Sequence, residues 1–326
     1  MGCETPLISM TLDLLQKFDL NDYLHGQSVV IDRALDRFLN DYPGELQTIF
    51  RAMRYGVFSG GKRIRPILTL AAGELFGAQQ TNLLPFACAI EMIHAYSLIH
   101  DDLPALDDDD LRRGKPTAHK VFGEGMALLA GDALLTEAFH LMSSPESRRS
   151  VPADLVLQMI HELSRAAGVT GLVGGQALDL EAEEKDVDLA AVELIHVRKT
   201  GALILASVRI GAQVAGANAE DLKRITCYGE RLGLAFQIAD DILDARGEPA
   251  ADERAESGNN EVKKATYPAL VGASQAEEKL KELLEFCLDE VRPFGAPAIP
   301  LMAIADHVVA RAIHGDSQSL SEEMGN

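Results

Sequence analysis

Six aspartates stand between positions 101 and 110 in the stretch "IHDDLPALDDDDLRRG" (99–114), and Arg112 and Arg113 follow at once. A shorter acidic pattern, "FQIADDILDARG" (236–247), carries Asp240, Asp241 and Asp244. Asp240 and Asp244 lie about 40° apart on a helical wheel and so share a face. Phe236, Ile238, Ile242 and Leu243 surround them, which predicts a mostly buried helix, and buried carboxylates without cations are costly. Arg246 is the cation nearest in sequence. A metal ion is the natural compensation.

The first motif makes the same demand. His94, Ser97 and Asp101 follow one another at helical spacing and form one polar stripe on an otherwise apolar segment. Asp101 and Asp102 stand near the C-terminal end of that helix, where the macrodipole disfavours anions. Asp107 is six residues past Asp101, about 240° away on a straight helix, so the two share an ion only if the helix ends or bends between them. Pro104 supplies a reason for it to do so. All-oxygen ligands suit a hard ion, Mg²⁺ above all, which takes one or two carboxylates together with substrate phosphates. An EF-hand loop is excluded, because "DDDDLRRG" lacks the glycine at the sixth loop position and the closing glutamate.

Basic residues accompany both motifs. "GGKRIRP" places Lys62, Arg63 and Arg65 after two glycines that permit tight turns. Arg112, Arg113 and Lys115 follow the first acidic run. Cations beside metal-type carboxylates point to phosphate groups held through both charges.

Helices must position these groups. Apolar residues recur at three and four along most of the 326 residues, and no alternating run suggests a strand. The expectation is a single all-α domain over 1–326, with about ten helices bounded by Gly- and Pro-rich stretches. The long candidates are 84–103, 189–214 and 219–245. Residues 180–188 and 246–264 read as solvated loops, 1–27 as a packing arm and 315–326 as a disordered tail.

Composition narrows the partners. With 30 Lys+Arg against 50 Asp+Glu the formal charge is -20, which works against binding a nucleic-acid backbone. Cys3, Cys88, Cys227 and Cys287 form no CxxC pair, so a reducing, cytoplasmic setting is expected. No long uninterrupted apolar run or secretory signal is seen, and membrane insertion is not expected.

With these residues in place, the chain resembles the trans-isoprenyl diphosphate synthases, the short-chain polyprenyl synthetases, over roughly 35–313. "GGKRIRP", "SLIHDDLPALDDDDLRRGKPTAHKVFGE", "GGQALDLE", "IHVRKTGALI", "FQIADDILD" and "KATYPALVG" occur in the family's order. The resemblance implies an isoprenoid-synthase helical bundle around a deep central cavity, a homodimer, and three Mg²⁺ ions per site. The metals would be held by Asp101, Asp107 and Asp240, with Asp102, Asp241 and Asp244 directly or through water. Arg112, Lys199, Gln237 and Lys264 would bind an allylic diphosphate. Lys62, Arg65, His94 and Arg113 would bind isopentenyl diphosphate. Thr200, with Gln237, would face the developing carbocation.

In this family the residues four and five before the first aspartate, here Ser97 and Tyr96, help limit chain growth. An aromatic at the second of these positions resembles bacterial farnesyl diphosphate synthases, and a geranylgeranyl product stays open beside it. The loop departs from the family pattern: Arg254 and Asn259 stand where a lysine and an aspartate are usual. That departure leaves a non-catalytic subunit as a reading of another class, against which stand the retained motif aspartates.

Overall fold

Between Leu83 and Ile99 nearly every side chain is apolar or small, so a helix there needs protein on all sides. The computed structural model, which describes residues 17–40, 44–149, 151–183, 185, 187–247 and 266–314, supplies it. Helix α4 (Gln80–Asp101) runs through the centre of a helical bundle, buried on every face. It packs on α3 (Ile64–Leu75) and most extensively on α6 (Glu124–Met142). Around them stand α1 (Leu20–Phe38), α2 (Gln47–Val57), α5 (Ala118–Phe122), α7 (Ala153–Ala167) and α8 (Leu172–Ala182). The second half contributes α9 (Leu189–His196), α10 (Ala202–Val214), α11 (Ala219–Ala245), α12 (Tyr267–Val271), α13 (Ala273–Val291) and α14 (Ile299–His314).

Helix starts carry local signals. Asn218 caps α11 by accepting from the Glu220 and Asp221 N–H groups, and both acids sit in the first turn, where the helix dipole favours them. Asp188 caps α9 through the Ala191 N–H at 2.9 Å. Helix α11 therefore spans the range its sequence predicts, whereas α4 begins four residues before its expected start. The 189–214 segment is helical throughout but widens into a π-helical turn at Val197–Gly201.

The all-α expectation holds with one addition. Leu111–Arg112 (β1) and Lys115–Pro116 (β2) pair antiparallel around Arg113 and Gly114, whose φ values of 53° and 72° close a tight turn. The described residues also form more helices than the ten expected, since Gly123 and Gly272, both at positive φ, split off the short α5 and α12. Two segments, Gln80–Asp101 and Ala296–His314, are apolar and long enough to cross a membrane by length and composition alone, though charged residues interrupt both. The first, α4, is 83% buried, and covering by the protein itself accounts for its apolarity. The tail, most of the expected 246–264 loop and residues 1–16 of the expected arm fall outside the described residues. The rest of that arm turns into α1, where Leu20, Tyr23 and Leu24 pack on the core.

Close backbone approach holds the two halves together. A Cβ on Gly211 of α10 would overlap the Thr69 carbonyl oxygen of α3, and backbone cannot move aside as a side chain can. Gly211→Ala is expected to lower stability by about 2 kcal/mol, read as a reduced midpoint in urea unfolding.

Candidate active site

Helix α4 ends at Asp101, and the chain then doubles back through Pro104. The Asp107 N–H donates to the Asp101 carbonyl at 2.9 Å. The turn thus returns Asp107 to the end of α4, the bend that sharing an ion requires. On the helix itself Ser97, Leu98 and Asp101 line a cavity of about 230 Å³, with His94 one turn earlier.

The hairpin after this turn divides its two arginines. Arg112 is buried, and its Nε and Nη2 both reach Asp102 Oδ1 at 2.6 Å, with Asp109 Oδ2 at 3.5 Å. Burial pushes the Asp102 carboxyl up to about 6 while the Arg112 guanidinium opposes that shift. Asp102 is therefore the counter-ion of Arg112, and Asp109 is buried beside it. Asp110 pairs with Lys120 at 2.6 Å. Asp108 and Asp110 gather with His119, their ligand atoms within 4.8 Å of one another.

Arg113 points elsewhere. It donates to the Gly60 carbonyl and borders a second, smaller cleft with Lys62, Arg65, His94 and Phe236. Gly61, at φ 126°, holds a backbone conformation that a residue with a side chain rarely adopts, which explains that glycine. Arg65 Nη1 lies 3.2 Å from His94 Nε2, and this pair also lines the larger cavity. The four residues expected to act together are brought together.

The π-helical turn supplies the opposite wall. A Cβ on Gly175 of α8 would overlap the Lys199 backbone, and one on Gly233 of α11 would come within 2.7 Å of Gly201 Cα. Squeezed between two glycines, the turn projects Lys199 and Thr200 into the cavity. Lys199 Nζ meets Asp179 Oδ2 at 2.7 Å, and Thr200 Oγ1 donates to Gln237 Oε1.

Helix α11 brings Gln237, Asp240, Asp241 and Asp244 to the same cavity. Asp241 is already engaged: it accepts from the Tyr267 N–H at 2.7 Å and lies 3.4 Å from His196 Nε2. Burial raises it to about 7, with the Tyr267 N–H opposing, and burial lowers His196 to about 4. Asp244 is exposed rather than buried. Arg246, the cation nearest the motif in sequence, turns away to the Ala312 carbonyl at 2.6 Å and Glu277 at 2.8 Å.

Carboxylates on α4 and α11 thus line one cavity with Arg112 and Lys199, a hard-oxygen donor set that fits Mg²⁺. Tyr96 does not line that cavity; it is buried beside it, its ring edge-on to His100 at 5.7 Å. Burial, and secondarily Asp101, pushes its hydroxyl up to about 12. Lys264, Arg254 and Asn259 lie outside the described residues. Asp179, Gln176 and His196 line the cavity without having been singled out; the i, i+3 pairing of Gln176 with Asp179 beside two glycines was the available signal.

A family model described as polyprenyl synthetase matches residues 46–293. The chain is 45% identical to the farnesyl diphosphate synthase of Escherichia coli (strain K12) over 86% of its own length and 95% of that protein. It is 43% identical to the geranylgeranyl diphosphate synthase of Cyanophora paradoxa, over 91% and 98%. A solved FPP/GFPP synthase from Zymomonas mobilis superposes with a TM-score of 0.80 at 37% identity, covering 89% of this chain and 98% of that one.

The buried Arg112–Asp102 pair predicts a large effect from removing one partner. Asp102→Ala is expected to cost about 3 kcal/mol, because it leaves a desolvated guanidinium underpaired. Urea unfolding of variant and parent measures it.

Proposed function

The chain belongs to the polyprenyl synthetase family and is a prenyltransferase, and from that premise we propose that it condenses isopentenyl diphosphate head to tail with dimethylallyl or geranyl diphosphate to give farnesyl diphosphate. The observation that carries this reading is the pair of adjoining clefts, one acidic and basic, one basic, sharing the Arg65–His94 wall.

Arg112, Lys199 and Gln237 are assigned to the allylic diphosphate, with Lys264 as a further ligand from the sequence resemblance. Lys62, Arg65, His94 and Arg113 take the isopentenyl diphosphate. Mg²⁺, three ions by the family resemblance, with Asp101, Asp107 and Asp240 as ligands and Asp244 beside them, supplies positive charge against which diphosphate can leave. Asp102 and Asp241, given their present partners, support the site from behind rather than serving as open ligands.

The C–O bond of the allylic diphosphate breaks, and Arg112 and Lys199 hold the departing group. The isopentenyl double bond supplies the electrons of the new C–C bond. The proton then lost goes to the departing diphosphate. Thr200 and Gln237 orient their dipoles toward the cationic carbon, and Leu98, Leu172, Val192 and Ile195 form an apolar wall that keeps water from it.

Exposed Leu128 and Leu129 on α6, at 47% and 51%, support a homodimer joined through that helix. Free Cys88, Cys227 and Cys287 fit a reducing, cytoplasmic setting. Buried Tyr96 next to cavity-lining Ser97 supports the fifteen-carbon product. A twenty-carbon product is favoured by one observation, that Tyr96 itself stands off the cavity wall.

Incubation with isopentenyl and geranyl diphosphates and Mg²⁺ is expected to yield farnesyl diphosphate, and a chelator to abolish it. No product, or activity indifferent to chelator, would overturn the reading. Tyr96→Ala is expected to shift products to twenty carbons or more, read by chromatography of the dephosphorylated alcohols.

A further inference from the structure

Three cations follow the double glycine at Gly60 and Gly61, and all three border the smaller cleft, but they are not placed alike. Arg63 turns inward. Its backbone is left-handed, at φ 54° and ψ 31°, a conformation unfavourable for a residue with a side chain. Its side chain is 4% exposed, and every branch of the guanidinium is committed. Nη1 donates to Glu91 Oε1 of α4 at 2.6 Å, Nε to Asp32 Oδ1 of α1 at 2.8 Å, and Nη2 to the Val57 carbonyl at the end of α2 at 2.7 Å. Glu91 is itself buried, at 5% side-chain exposure. Its guanidinium thus ties the loop to α1, α2 and α4 at once, the placing of a brace.

The consequences reach the residues on either side. Glu91 and His94 are one turn apart on α4, and Arg63 and Arg65 are two residues apart at the start of α3. Arg63 on Glu91 and Arg65 on His94 therefore make two rungs between the helices, the first beside the smaller cleft and the second lining both clefts. Arg113 hangs on the Gly60 carbonyl of the same loop. The position of Lys62, Arg65 and Arg113 thus depends on one loop conformation, and the ties of Arg63 to α1, α2 and α4 hold it.

The geometry points to Arg63, anchored by Glu91 and Asp32, as the positioning residue for the isopentenyl diphosphate site. It sets affinity for that substrate through the loop that carries Lys62 and Arg65. This rests on the assignment of the basic cleft made above. A lysine keeps the charge but lacks the planar fork that spans three acceptors.

Steady-state kinetics with each substrate varied separately, together with thermal unfolding, tests the role. Arg63→Lys is expected to raise KM for isopentenyl diphosphate about tenfold, while KM for geranyl diphosphate and kcat at saturation stay within about twofold, since one geometry of hydrogen bonds is lost and the charge is kept. Asp32 is 47% exposed, so Asp32→Asn folds even where Arg63→Lys does not, and the same selective rise, about threefold, is expected there. Lowered unfolding temperature with an unchanged ratio of the two KM values would reduce Arg63 to a fold-stabilising residue and overturn the proposal. Arg113→Gln separates the two levels of inference. If it leaves KM for isopentenyl diphosphate unchanged, the assignment of the cleft fails and the positioning role with it. If it raises that KM while the Arg63 and Asp32 variants do not, the positioning role alone fails.

Discussion

A guanidinium and a carboxylate that leave water together decide how α4 ends. Burying either alone is prohibitive, and the attraction between them repays desolvation only with close, well-directed contacts. Arg112 on Asp102 meets that condition and carries Asp109 with it. Once the pair is formed, the chain after Asp101 must turn back within a few residues, the hairpin must stand over the helix end, and Asp107 returns to Asp101. Asp101 is then left at the cavity while its neighbour is consumed within the protein.

The opposite wall follows from the absence of side chains. Gly175 and Gly233 let α8 and α11 approach the backbone of one turn so closely that regular α-helical spacing gives way there to a π turn. The wider turn carries the lysine and threonine of the site. Polar function here is placed by backbone contact, and the ion pair to Asp179 and the hydrogen bond to Gln237 finish the aim.

Much of this was legible in residue order. The helical class, the bounds of α11 and the break after Asp101 followed from apolar periodicity and a proline. The grouping of Lys62, Arg65, His94 and Arg113 came from the family resemblance, and the structure brings them to one cleft. What stayed hidden depends on neighbours distant in the chain. Nothing local distinguishes Asp102 from Asp101, or Asp241 from Asp240, because their partners lie on the hairpin, on α9 and at the start of α12. Arg63 reads as one more cation until Asp32 and Glu91 are seen against it. That Arg246, the cation nearest the second motif, is held by α13 and α14 is equally invisible in residue order. The two-residue ladder is too short to leave a pattern of alternation.

That ladder makes the adjacent arginines serve different masters. Arg112, in extended backbone, is driven inward, and Arg113, in left-handed backbone, swings to the other cleft. The assignment is set by parity rather than by distance. Inserting or deleting one residue before the turn would exchange which arginine goes in and which goes out, with no graded intermediate. Drift in length, tolerable in most surface turns, is quantised here: the hairpin can keep its register or lose the contacts of Arg112 with Asp102 and of Arg113 with Gly60 at once.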